Sequence, residues 1–295
     1  MEGIDGMAES SKKNEKTKSF LIRLASTVVM LTLGGGAIYI GKWVLAVVLL
    51  AVSLGGVFEL LRVFNVHKTS LAVVTYIFTV LYNVLLYVRE YVTAGPAGTE
   101  LLLFILYLLI ILTIYVFRFP KHDIKQTVSC FFSFFYVPVC LSYIEQLRNM
   151  EHGFYFVILI LICSCGNDMF AYLVGILIGK HKMFPHLSPK KSVEGFIGGI
   201  LGAAGLGVAY GFIYQNITGN TTDHFPLLFG IICGVGALPA VVGDLAASGI
   251  KRNYGIKDYS HLIPGHGGIM DRFDSMIFTA PIVFYMVTFL FQMYR

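Results

Sequence analysis

Charge is what this sequence has least of. Asp, Glu, Lys and Arg make up 13% of its 295 residues, about half of the ~25% usual in a soluble domain. Too little polar surface exists to cover a water-facing globule, and no long polar segment marks off a separate soluble domain. Cys-x-x-Cys is missing as well. Cys130, Cys140, Cys163, Cys165 and Cys233 all sit in apolar stretches, and the spacing of Cys163 and Cys165 is not that of a zinc or redox site. All five read as reduced packing residues. No internal repeat of the kind that marks many transporters is present. No strand precedes Gly202-x-x-Gly205 or Gly207-x-x-x-Gly211, which excludes a dinucleotide fingerprint. With Gly34 to Gly36, these glycines suit close helix packing in lipid. The formal net charge of +5 lies between apolar runs and is no sign of a nucleic-acid partner.

What is there is apolar: 56% of the residues, with a mean hydropathy of +0.74. A spanning helix needs about 20 mostly apolar residues, and nine runs qualify: 20–40, 43–63, 70–89, 101–118, 127–147, 153–178, 195–215, 225–249 and 275–293. The fold class is therefore an all-α polytopic membrane protein. The fifth run carries Pro138, which a membrane helix tolerates when neighbours satisfy the freed carbonyl. Residues 1–18, with four lysines, read as a disordered basic tail. The run that follows is long for a signal peptide and lacks a clear cleavage site, so it reads as a retained first helix. Residues 19–295 then form one transmembrane domain, with N-terminal helices over 19–150 and a C-terminal half over 151–295. With the N-terminus inside, 18 of the 22 Lys and Arg residues fall on inside segments, and only Lys42, Arg89, Arg148 and Arg295 fall outside. That asymmetry sets a cytoplasmic N-terminus. The absence of an organelle address and the short tail suggest a bacterial-type plasma (inner) membrane.

Ionisable residues in apolar runs are costly and default to function. Glu59, Asp168 and Asp244 are three such residues. Glu59 lies three residues before Arg62 near a helix end; a snorkelling ion pair explains it as well as a site does, and it is left out of the site. Asp168 follows Asn167 and shares i, i+4 spacing with Ser164, either as part of a site or as an interhelical anchor. In Leu187 to Gly195, Pro189 breaks the chain, Lys190 and Lys191 supply adjacent cations, and Ser192 is placed to cap the next helix, with Glu194 in its first turn. A helix start flanked by lysines suits phosphate, although the same pattern is ordinary capping. The richest stretch runs from Gly243 to Asp274. Asp244 and Ser248 are i, i+4 on one helix; Asp271 and Asp274 are i, i+3 on the next. Pro264-Gly265-His266-Gly267-Gly268 lies between, a turn whose backbone N–H groups can approach an anion. Carboxylates beside Lys and Arg are what metal-assisted phosphate chemistry needs, whereas a solvated loop with local salt bridges is the plainer alternative.

At these residues the sequence resembles the phosphatidate cytidylyltransferase (CDP-diacylglycerol synthase) family. Ser248, Lys251, Arg252, Lys257, Asp258, Pro264, His266, Gly267, Gly268, Asp271, Arg272 and Asp274 meet every fixed position of its signature. Asp168, Ala171 and Tyr172 match a further element, as do Ser188, Pro189, Lys191, Glu194 and Gly195, with Ser192 in place of the usual threonine. The resemblance is close over roughly 160–295; the N-terminal helices match only as hydrophobic spans. It implies attack of a phosphatidic acid oxygen on the α-phosphorus of CTP, in the lipid bilayer, with Mg²⁺ as cofactor and a second cation possible in the family. It further implies Asp244, Asp271, Lys251 and Arg272 as catalytic residues. Ser188, Lys191, Ser192, Ser248, Arg252, Lys257, His266, Gly267 and Gly268 would bind substrate or phosphate. Asp244 and Asp271 would ligate metal, with Asp168 and Asp274 as further acids, and His266 would orient the turn or bond a phosphate. A homodimer is expected from the family and the small-residue helix faces.

Two other readings compete. A CTP-dependent polyprenol or phytol kinase would use similar parts but release CDP; the Pro264–Asp274 run favours the cytidylyltransferase. A secondary transporter using Asp168 and Asp244 would show repeats and paired broken helices. Here the charges crowd one membrane face, as an interfacial active site requires.

Overall fold

Backbone N–H and C=O groups have no water to bond in a bilayer, so apolar runs of spanning length must become helices. The computed structural model describes residues 2–91, 98–185, 187–219 and 224–293, with side chains in 2–20, 90–91 and 292–293 left aside. Among the described residues, nine helical segments are long and apolar enough to cross a membrane, in register with the nine runs read from sequence. In chain order the helices are α1 (Glu2–Ile40), α2 (Lys42–Val63), α3 (Ser70–Tyr91), α4 (Thr99–Phe117), α5 (Ile124–Phe134), α6 (Cys140–Asn149), α7 (Gly153–Leu161), α8 (Asn167–Ile178), α9 (Val193–Thr218), α10 (Phe225–Asn253) and α11 (Met270–Met293). The side chains of the stretch read as a basic tail, 1–18, lie outside the described residues.

Two of the nine spans are interrupted by π turns. Phe135–Val139 joins α5 to α6 around Pro138, and Ile162–Gly166 joins α7 to α8. The first is the local answer to a proline in a membrane helix: the widened turn accommodates the ring, and the Cys140 thiol donates to the Phe135 carbonyl at 3.4 Å. The second corrects the expected pairing of Ser164 with Asp168. Ser164 is buried and donates to the Ile160 carbonyl at 2.8 Å, whereas Asp168, just past the π turn, is exposed. The last span also begins earlier than its apolar run, at Met270 instead of Ser275.

Lipid tails are as apolar as leucine, so close packing, not burial from water, holds such helices together. Helix α9 packs on α8 and α10 through its glycines. A Cβ at Gly202 would lie 2.2 Å from the Phe170 ring, and one at Gly211 would lie 2.4 Å from the Pro226 Cα. The N-terminal helices instead share an aromatic cluster in which Tyr107 and Phe134 have centroids 4.5 Å apart, and the Tyr107 hydroxyl meets Thr75 at 3.0 Å. Large apolar residues face outward along the bundle, as Leu31 (70% exposed), Leu201 (67%) and Phe289 (65%) do. Helix α1 is the most peripheral element. At its C-terminal end the Arg148 guanidinium takes the orphan carbonyls of Ile38 and Tyr39 at 2.6 and 3.0 Å.

Candidate active site

The site forms at one end of the bundle, where α8 hands over to α9 and α10 to α11. Between α8 and α9 the chain makes an antiparallel hairpin of β1 (Lys182–Phe184) and β2 (Ser188–Ser192), with Lys182 opposite Ser192 and Phe184 opposite Ser188. Ser192 is the N-cap of α9: its hydroxyl accepts from the Gly195 N–H at 3.1 Å. Glu194 accepts from the Lys180 N–H at 3.1 Å and from His181 Nδ1 at 2.6 Å, tying the start of α9 to the end of α8. These ties fix β2, and Lys191, at its end, reaches across to Asp244 of α10 with Nζ 2.5 Å from Oδ2.

Asp168, Tyr172, Lys190, Lys191 and Ser192 line a cleft with about 180 Å³ of free volume. Asp168 and Asp274 both lie within electrostatic reach of Asp244, as Lys191 does of Asp168 and Lys251 of Asp274. The structure therefore brings three acids and two lysines from α8, β2, α10 and α11 to one place. Ser248 sits one turn beyond Asp244 on α10 and is half-buried, as Ser188 is on β2.

Asp271 is held differently. Its side chain is only 6% exposed, and Oδ1 takes Lys251 Nζ at 2.7 Å. Oδ2 accepts from the N–H groups of Tyr259 and Gly268, at 2.9 and 3.0 Å. The Tyr259 ring lies 5.5 Å from Lys251 Nζ, and its hydroxyl donates to the Ala247 carbonyl at 3.0 Å. Burial pushes that hydroxyl well above the tyrosine range, so it stays a donor.

The glycine turn is tightened by its own bonds. Ile263 N–H donates to the Gly267 carbonyl at 2.9 Å, and His266 N–H to the Ile263 carbonyl at 3.0 Å. Gly267, at φ +86°, adopts a left-handed conformation that favours glycine. Several N–H groups that sequence offered to an anion are thus used internally. The Arg272 guanidinium grips the His266 carbonyl with Nε and Nη2 at 2.9 and 2.7 Å. His266 points away to α1, with Nε2 3.1 Å from the Thr27 hydroxyl, while the Ser26 hydroxyl donates to the Pro264 carbonyl at 2.8 Å. Arg252 and Lys257 remain exposed cations outside this framework.

One residue set aside in the sequence belongs to it. Glu59 is fully buried and, instead of pairing with Arg62, accepts from Ser260 Oγ at 2.5 Å and from the N–H groups of Ile269 and Met270 at 2.9 and 2.8 Å. The signal that could have found it was the acid itself in an apolar run; Arg62, three residues on, supplied a false local explanation.

No group of three or more His, Cys, Asp or Glu side chains placed to hold a metal occurs among the described residues. A cation at this site would therefore need ligand phosphates and water to complete its shell, as Mg²⁺ usually does.

The family model described as "Cytidylyltransferase family" matches residues 21–290. The chain is 29% identical over 252 residues to the phosphatidate cytidylyltransferase of Bacillus subtilis, covering 85% of this chain and 91% of that one. It is 30% identical over 269 residues to the enzyme of the same name from Staphylococcus haemolyticus, covering 91% and 96%. A 34% identity over 174 residues links it to the Aquifex aeolicus phosphatidate cytidylyltransferase, covering 58% and 61%.

Proposed function

Because the chain belongs to the cytidylyltransferase family, we propose that it transfers a cytidylyl group from CTP to phosphatidic acid, giving CDP-diacylglycerol and pyrophosphate. The observation that carries this reading is the gathering of Asp168, Lys191, Asp244, Lys251 and Asp274 at one end of the bundle, where Lys191, paired with Asp244, lines the cleft that also holds Asp168. In the reaction, a phosphate oxygen of phosphatidic acid bonds to the α-phosphorus of CTP as the bond to the β-phosphate oxygen breaks. Both reactants are anions, and charge grows on the departing pyrophosphate, so fixed cations lower the barrier. The nucleophile already carries its charge and needs no general base. Lys191 is the cation best placed to leave its carboxylate for a phosphate, since it and Asp244 are 25% and 30% exposed. The exposed Arg252 and Lys257 are suited to drawing in the triphosphate.

Asp244 with Asp168 would hold Mg²⁺, with ligand phosphates and water completing its shell; bound there, the ion would neutralise phosphate charge. Asp271 would join through Oδ1, which accepts only from Lys251, while Oδ2 keeps its two backbone N–H groups. The site reads as cytoplasmic, in a bacterial inner membrane, because its elements share the bundle end that carries the excess of Lys and Arg. A homodimer is part of the proposal. Gly34 to Gly36 and Gly205 are open to such contact, having nothing within 4 Å of an added Cβ.

The test is pyrophosphate release by purified protein in detergent. Release is expected only when CTP, phosphatidic acid and Mg²⁺ are all present; release without phosphatidic acid, or none with all three, would overturn the reading.

A further inference from the structure

Glu59 is a buried carboxylate whose three bonds described above come from uncharged donors. Ionic groups survive burial only with fixed partners, and here two of the donors are backbone N–H groups at the start of α11. The first N–H groups of a helix lack intrahelical acceptors and favour negative charge. Glu59 sits among Val57, Leu60 and Leu61, all 0% exposed, so its position is set by α2. Immediately before its two donors stands Gly268, whose N–H turns the other way, to Asp271. A Cβ on Gly268 would lie 2.6 Å from both Glu59 oxygens. Two carboxylates, one from α2 and one from α11, thus divide three consecutive N–H groups, 268 to Asp271 and 269 and 270 to Glu59.

From this arrangement we infer that Glu59 is a positioning residue for the cytidylyl transfer proposed above, on which the inference rests. It touches no reacting group. By fixing residues 268–270 to α2, it sets where the Asp271 carboxylate stands, and Asp271 in turn sets Lys251.

The test compares full-length wild type, Glu59→Gln and Glu59→Asp in detergent, with turnover normalised to folded protein. Glu59→Gln points an amide N–H₂ at N–H donors; kcat is expected to fall about 10- to 100-fold, the loss of one charge-assisted hydrogen bond. KM for CTP should stay within about threefold, and Glu59→Asp, which keeps the charge, should recover part of kcat. Unchanged kcat beside a lowered melting temperature would make Glu59 a stability residue only and overturn the inference. If Glu59→Gln cannot be recovered folded, Ser260→Ala removes one donor. A fall in kcat of about 2- to 10-fold is then expected, and an unchanged kcat is the overturning result. Wild type without turnover would sink the cytidylyl-transfer reading and this inference with it; an active wild type with an unaltered Gln variant would sink this inference alone.

Discussion

Lys191 and Lys251 each hold a carboxylate, at 2.5 and 2.7 Å, but the two pairs differ in what else they do. Asp244 is 30% exposed beside Lys191, whereas Asp271 is 6% exposed and also binds two backbone N–H groups. Asp244→Asn should therefore lower kcat about 100-fold or more, the scale of losing one electrostatic element of an active site, with little change in melting temperature. Asp271→Asn turns an amide toward donors in a buried place; it should lose activity and also about 1–3 kcal/mol of stability. Turnover and thermal unfolding of both variants in detergent check the contrast, and equal melting temperatures would contradict it. Lys191→Ala should reduce kcat/KM for CTP about 10- to 100-fold, as removal of a charged phosphate contact does; unchanged kinetics would remove Lys191 from the site. Asp244 was legible in the sequence because charge in an apolar run is expensive, whereas Lys191, Lys251 and Asp271 stood out in charge-rich stretches that match the family signature. The partners were not. Glu59 is bonded to residues about 200 positions away, a separation no local spacing reveals, and the inward use of the glycine turn's N–H groups was equally hidden.

At the scale of elements, the nine spans were readable because bilayer thickness fixes helix length. What escaped were features that no apolar run marks: the π turns, the β1–β2 hairpin and the start of α11. That helix begins at Met270, ahead of its apolar run, where Glu59 satisfies its first N–H groups. Ser192, by contrast, was legible as a cap, since a hydroxyl before an apolar run is a local signal. Ser192→Ala should cost about 1 kcal/mol of stability and, by loosening the end of β2, weaken the hold of Lys191 on Asp244. Ser192→Thr should retain most of both. Thermal unfolding and KM for CTP measure the two effects, and an Ala variant identical to wild type in both would contradict the assignment.

For the whole molecule, the proposed arrangement puts both charged connections, 179–192 and 254–269, on one side of the membrane, and the turn between α6 and α7 on the other. Single cysteines at Lys182 and Lys257 in sealed, oriented vesicles should label from the cytoplasmic side, and one at Glu151 from the opposite side; labelling of all three from one side would overturn the topology. Cytidylyl transfer and γ-phosphoryl transfer differ in which bond of CTP breaks. The most direct measurement gives purified protein phosphatidic acid, Mg²⁺ and CTP labelled in turn at the α- and the γ-phosphate, and follows the label. With cytidylyl transfer, α-label enters a lipid, γ-label leaves as pyrophosphate, and chelation by EDTA stops both. Retention of the α-label in soluble CDP, with the γ-label passing to a lipid alcohol, would contradict it.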